Sequence, residues 1–214
     1  MSARCHALHQ VSAQLPLYSF PFDERAIPEN GIYLLFEEGE NAHGHRRIVR
    51  IGTHTGDRQL RSRLRQHFIQ ENKDRSIFRK NIGRALLHRA NDPFLTDWNL
   101  DLTTAEARRL HATRIDTAKQ RSVEALVSHH LQSSCRFTVI PVANKTERLL
   151  MESRMISTVS ACPLCKPSEG WLGLSSPVAK IRQTGLWQIN ELFKQPFSDD
   201  EFAAFESAVR AFEF

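Results

Sequence analysis

Short apolar runs alternate with amphipathic stretches along this chain, and each change of period marks an element. Gly31-Ile32-Tyr33-Leu34-Leu35-Phe36 and Ile48-Val49-Arg50-Ile51-Gly52 are rich in Ile, Leu and Val and bounded by Gly and turn residues. They predict strands over 31–37 and 47–53, with the polar, Gly-containing segment Glu38–Gly44 as a hairpin loop. Leu60, Leu64 and Phe68 then recur at i, i+4 and i+8, which predicts a helix over about 57–70 with one apolar face. Ile77, Ile82, Ala85 and Leu86 repeat the pattern over 76–89. Asn91-Asp92-Pro93 breaks it, and 91–103 is a predicted loop. A charged helical stretch follows over 104–133, amphipathic only in its second half (Val123, Leu126, Val127, Leu131). Arg136–Val142 is a third strand candidate. Residues 144–160 form a predicted helix that Asn144 can cap, with Glu147 at the third helical position as in a capping box. Beyond an irregular 162–177, short helices are expected around 178–182 and 187–193, and a last one from Asp199. The first thirty residues are mixed, punctuated by Pro16, Pro21 and Pro28, and read as an arm. The order strand, strand, helix, helix, insertion, strand, helix predicts an α/β fold, a small sheet with helices packed on it.

Composition changes this picture in two places. At 214 residues, 41% hydrophobic and 25% charged, the chain suits a folded domain rather than a disordered one. The net charge of +5 is concentrated between Arg46 and Arg84, where Arg50, Arg58, Arg61, Arg63, Arg65, Arg75, Arg79 and Lys80 lie close together. Such a cluster fits a polyanion partner, or simply a solvated basic face. Four cysteines and no charged-then-apolar leader predict a reducing, cytoplasmic setting. The apolar runs are too short for a membrane span.

Phosphodiester hydrolysis needs a nucleophilic water and stabilisation of charge on phosphorus and on the leaving oxygen. A hard cation helps with the last two and is often held by only one or two carboxylates. Glu152 is such a carboxylate: three residues after Leu149 and four before Ile156, it falls within an apolar helical stripe. A metal ion would compensate its burial, and so would an ion pair with Arg148 at i−4. Arg63 and His67 share a helix face, where the guanidinium could fork onto a phosphate and the imidazole could bond a phosphate oxygen or water. Tyr33 could orient or deprotonate water, or be a half-buried strand aromatic.

Together these residues resemble the GIY-YIG nuclease superfamily. Gly31-Ile32-Tyr33 matches its first signature, and Arg50-Ile51-Gly52 matches the second with Arg50 in place of Tyr. Leu60-x-x-Arg63-Leu64-x-x-His67-Phe68 is similar to the helix with the family's active-site arginine, and Leu149-Leu150-Met151-Glu152-Ser153 to the segment with its metal-binding glutamate. The resemblance implies a three-stranded antiparallel sheet flanked by helices, spanning 30–160 with a helical insertion at about 91–122. An N-terminal arm (1–29) and a C-terminal extension (161–214) would pack around it. It further implies an endonuclease that hydrolyses DNA with one Mg²⁺ or Mn²⁺. Glu152 would hold the metal, Arg63 the phosphate and Tyr33 the water, with His67 in support. Arg50 would ligate phosphate where the second Tyr is lost, and His54 would take over proton handling. Small nucleases that cut both strands often dimerise, so a homodimer is a further expected partner. The family's late Asn has a candidate counterpart in Asn190. The alternatives are a nucleic-acid-binding module of the same fold that no longer cuts, and an α/β interaction domain with basic helices.

Other features stand outside this scheme. Cys162-x-x-Cys165 invites a zinc reading, which needs two more ligands; Cys135, His129 and His130 would serve if folding brought them close, and otherwise these are plain loop cysteines. Trp171 and Trp187 are expected as packing anchors beneath the C-terminal extension. His43 and His45 are expected to be exposed in the hairpin loop.

Overall fold

The two apolar runs pair as an antiparallel hairpin, Gly31–Ala42 against His45–Gly52, turning on His43-Gly44 with φ of 54° and 78°. Positive φ at both positions is the turn whose twist matches that of the strands. The computed structural model describes residues 2–210, beginning with helix α1 (Ser2–Ala13) and a two-residue strand β1 (Tyr18–Ser19). The hairpin strands are β2 (Gly31–Ala42) and β3 (His45–Gly52). Helices α2 (Leu60–Phe68), α3 (Ile77–Arg89), α4 (Leu95–Trp98), α5 (Ala105–Leu110) and α6 (Thr117–Ser134) lead to strand β4 (Cys135–Pro141). Helices α7 (Lys145–Ser160), α8 (Ala179–Thr184) and α9 (Asp199–Arg210) follow.

The fold is the expected α/β arrangement, but its antiparallel sheet has four strands rather than three, in the order β1-β4-β2-β3. The extra strand pairs only Tyr18 and Ser19 with Phe137 and Arg136, too short a run to leave a periodic signal. Apolar layers cover both faces of the sheet, which is why β2 is buried without alternation from Gly31 to Glu37. One layer sets Tyr33, Leu35, Val49 and Phe137 against α2, α3 and α6. The other sets Ile32, Leu34, Ile51 and Ile140 against α1, α7 and α9.

Several local expectations need correction. The first residues are not an arm throughout: α1 packs on β3 and α7 and buries Cys5, Leu8 and Val11. Its inward face also carries His9 and Ser12, so the hydrophobic pattern hid it. The charged stretch 104–133 is two helices, because Asp116 accepts from the Lys119 N–H and starts α6 afresh. No helix spans 187–193, where Glu191 and Phe193 take φ of 62° and 56°. There the chain lies along β3 instead, Trp187 donating its backbone N–H to Val49 O at 2.8 Å. Asn144 does cap α7, accepting from the Glu147 N–H at 3.0 Å.

Both tryptophans anchor the C-terminal segment as expected. Trp171 and Trp187 donate their indole N–H groups to one carboxylate oxygen of Glu37, at 2.7 and 2.9 Å. Burial works to raise the Glu37 carboxyl, but His130 and these donors overcome it and hold the group below its usual range. Among the described residues, no helix is long and apolar enough to cross a membrane.

Candidate active site

Tyr33 stands opposite Gly52 in the β2–β3 ladder, and its ring lies over that glycine. A Cβ at position 52 would run into the Tyr33 hydroxyl and ring carbons, so the glycine makes room for the phenol. Gly52→Ala should therefore cost about 1–3 kcal/mol by overpacking, read as a lower denaturant midpoint at unchanged slope.

A register shift separates the pairs Leu35↔Arg50 and Phe36↔Ile48, leaving Val49 as the extra residue of a bulge. The bulge leaves Val49 and Arg50 both serving the layer that contains Tyr33. Arg50 donates from Nε to the Tyr33 hydroxyl at 3.2 Å and from a terminal nitrogen to Trp187 O at 2.5 Å. Its guanidinium lies 4.9 Å from the Phe78 ring centroid.

The same phenol oxygen lies 2.8 Å from His67 Nε2. His67 Nδ1 lies 2.8 Å from Ser76 Oγ, which caps α3 by accepting from the Arg79 N–H. The α2 helix thus carries His67 inward, at i+4 from Arg63, and α3 closes the chain Arg50–Tyr33–His67–Ser76 from below. Burial first, then Arg63, Arg50 and Arg79, hold the His67 imidazole well below its usual range, so it is neutral.

That shift makes a stability prediction. The unfolded chain takes up a proton near pH 6.5 that folded His67 refuses, so stability should fall as pH drops below about 6.5, by up to about 1.4 kcal/mol per unit. His43 and His54 are shifted in the same direction. Denaturation of wild type and His67→Gln at neutral and mildly acid pH isolates the His67 share: the variant should lose part of the slope.

Arg63 is half-buried on α2 and donates to Gln66 Oε1 at 3.0 Å and Arg75 O at 3.2 Å. It lines a cleft of about 350 Å³ together with Thr53, His54, Gln59, Ser62 and Gln66. His54 is at its wall with both ring nitrogens facing backbone, Nδ1 at 2.7 Å from Gly56 O and Nε2 at 3.4 Å from Gly31 N. Tyr33 and His67 are fully buried and do not line this cleft.

Glu152 comes from α7, in the other layer, and reaches this group at the end of β3. Burial raises its carboxyl; Arg50, the Thr53 N–H and Arg63 act against the rise, and Glu191 adds to it. Glu152 is half-buried, and among the described residues no side chain pairs with it or donates to it, the Thr53 N–H being its one donor. The alternative partner, Arg148, is engaged elsewhere: it donates to Val142 O at 3.1 Å, Ala143 O at 2.9 Å and the His54 carbonyl. Arg50 and Arg63 thus act electrostatically on both His67 and Glu152. Asn190 is exposed on the segment after Trp187.

The family model described as GIY-YIG domain matches residues 9–213, nearly the whole chain. The chain belongs to the GIY-YIG family. No curated protein and no solved structure matches it at a significant level. The GIY-YIG match carries a nuclease-type function in general terms, and it takes in α1 from His9 onward as well as the C-terminal segment. Sequence reasoning missed Ser76, Phe78, Arg79 and Trp187 as the supports of this candidate site. The Ser76 cap before an apolar helix was the one local signal available; the others act through contacts distant in sequence.

Proposed function

We propose that this protein is a metal-dependent endonuclease that hydrolyses DNA phosphodiester bonds. The observation that supports the reading is the hydrogen-bonded trio Arg50, Tyr33 and His67, with Arg50 and Arg63 as the cations that oppose the burial-driven rise of the Glu152 carboxyl. The residues fit a hard cation, since Glu152 is a burial-strained carboxylate with no side-chain partner among those described. A Mg²⁺ or Mn²⁺ held by Glu152 would supply charge neutralisation at the phosphate and the leaving oxygen. Arg63 takes the scissile phosphate in the cleft, where a planar guanidinium can bond two oxygens at once. Arg50, fixed by Trp187 O and by the Phe78 ring, adds positive charge where the lost tyrosine of the second signature would stand. Neutral His67 and Arg50 hold the Tyr33 phenol in place as the group that orients the water. His54, with both nitrogens on backbone, shapes the cleft wall.

A second reading, a binding module that keeps the fold without cutting, draws on the complete burial of the Tyr33 phenol and on Arg50 itself. A Mg²⁺ titration with plasmid DNA separates the two. The enzyme reading expects cleavage that requires Mg²⁺ or Mn²⁺. It also expects Arg63→Ala to lower cleavage by about a hundredfold, the scale of one lost charge-stabilising donor, with Arg63→Lys not restoring it. Salt-sensitive binding with no cleavage at any divalent-ion concentration supports the module instead.

A further inference from the structure

The zinc ligands suggested by the sequence do not assemble as one set. Cys135 is wholly buried in the Tyr33 layer, and His130 Nε2 lies 2.8 Å from Glu37 Oε1. The Cys162-x-x-Cys165 loop meets a different group of side chains, which neither the family resemblance nor the proposed cleavage uses. Cys5 and His9 face inward from α1, one turn apart, and His43 reaches them from the tip of the β2–β3 hairpin. One donor atom each from Cys5, His9, His43 and Cys165 can be chosen so that all four lie within 4.8 Å of one another. Cys5, His9 and Cys165 are buried, His43 is half-buried, and the cysteines are free thiols.

We propose that Cys5, His9, His43 and Cys165 bind one Zn²⁺ as a tetrahedral structural site, joining α1, the hairpin tip and the loop after α7.

Bond lengths of about 2.3 Å to sulfur and 2.0–2.1 Å to nitrogen place tetrahedral donors roughly 3.3–3.8 Å apart. One contact already present is close to that: His9 Nε2 is 3.7 Å from Cys165 Sγ. His9 Nδ1 also lies 2.8 Å from Cys5 O, so that nitrogen donates to the carbonyl and Nε2 keeps the lone pair. A backbone carbonyl on the non-ligating nitrogen is the usual support of a metal-bound histidine. Nε2 accepts from the Ile48 N–H at 3.2 Å, a bond that a zinc ion would replace. His43 occupies a left-handed turn position at the hairpin tip, a conformation in which His is one of the more common non-Gly residues. Two thiolates with two imidazoles in a buried, closed set suit Zn²⁺ over Mg²⁺ or Ca²⁺. His9 also borders a cleft of about 360 Å³ beside Asn41 and His45. Cys162, whose sulfur is 3.5 Å from His43 Nε2, flanks the set without belonging to it.

The test uses the full chain, produced with zinc in the medium and purified under reductant without added Mg²⁺. Elemental analysis should find about one Zn²⁺ per chain, as a four-ligand structural site binds. Co²⁺ exchanged into the site should show the absorption of a tetrahedral ion with thiolate ligands. Cys165→Ser and His43→Ala should each weaken zinc retention against a competing chelator by more than about a hundredfold, the upper range for loss of a mere supporting partner. Cys162→Ser should retain it. His43→Ala changes a half-buried turn residue, so its circular dichroism should stay native even if Cys165→Ser fails to fold. Zinc-free protein that is fully reduced, natively folded and indifferent to added Zn²⁺ would overturn the proposal. So would zinc that survives His43→Ala but is lost in Cys162→Ser, or a Cys5–Cys165 disulfide in protein kept under reductant.

Discussion

Glu152→Gln should abolish Mg²⁺-dependent cleavage, by at least about a hundredfold, while the protein folds as well as before or better. The loss follows from removing the carboxylate that would hold the cation, whose contribution to transition-state charge is several kcal/mol. The stability half of the prediction follows from linkage. The folded-state carboxyl of Glu152 is raised by burial, so ionising it costs more in the folded chain than in the unfolded one. Its contribution to stability is complete below the unfolded pKa and is lost as pH rises through the folded one. At neutral pH the carboxylate is therefore a burden that a neutral amide of the same shape removes, the usual mark of a group retained for function. DNA binding should change little, since Arg63 and the basic stretch remain. Cleavage rates, affinity and urea midpoints of the two proteins test all three parts. A midpoint that falls with activity would make Glu152 a structural residue.

Arg79→Ala should produce the largest loss of stability, about 3–5 kcal/mol, because it leaves a buried carboxylate without its cation. Arg79 donates to Glu124 Oε2 from Nε at 3.0 Å and from a terminal nitrogen at 2.7 Å. It also donates to Ser128 Oγ and, at 2.9 Å, to the His67 carbonyl. Glu124 is buried, and its carboxyl is already raised by that burial against the pull of Arg79. The network spans α3, α6 and the end of α2, so it also sets the depth of His67 beneath Tyr33. Equilibrium unfolding measures the loss. The double variant Arg79→Ala with Glu124→Ala should be less destabilised than the two single losses added, since it leaves no unpaired charge. Additive losses would mean the pair is not coupled.

Much of this site is legible in the sequence, for a local reason. Tyr33, Arg50 and Gly52 lie on strands marked by apolar runs, and Arg63 and His67 on a helix marked by Leu60, Leu64 and Phe68. Glu152 was visible as a carboxylate inside an apolar stripe. What stayed hidden acts at long range. The bulge at Val49 has no composition signal, yet it turns Arg50 toward Tyr33. Trp187 covers the edge of β3 through a backbone bond that any residue could make, so its link to Arg50 is invisible in a pattern of side chains. The α1 helix buries His9 and Ser12 along with its apolar positions, which erases the amphipathic period. The Cys5, His9, His43 and Cys165 cluster is drawn from three distant segments, and only the CxxC hinted at it. His43 was expected in solvent, but its ring lies 5.1 Å from that of His9.

Crystals grown with Mn²⁺ and a non-cleavable DNA, with diffraction recorded at the manganese edge, would locate the cation directly. The expected result is an ion at about 2.1 Å from a Glu152 carboxylate oxygen, the spacing of a hard octahedral cation, beside a phosphate held by Arg63. An ion bound only elsewhere, or no ion at Glu152 in protein that cuts the cleavable form of the same DNA, would contradict a metal-dependent site at this residue.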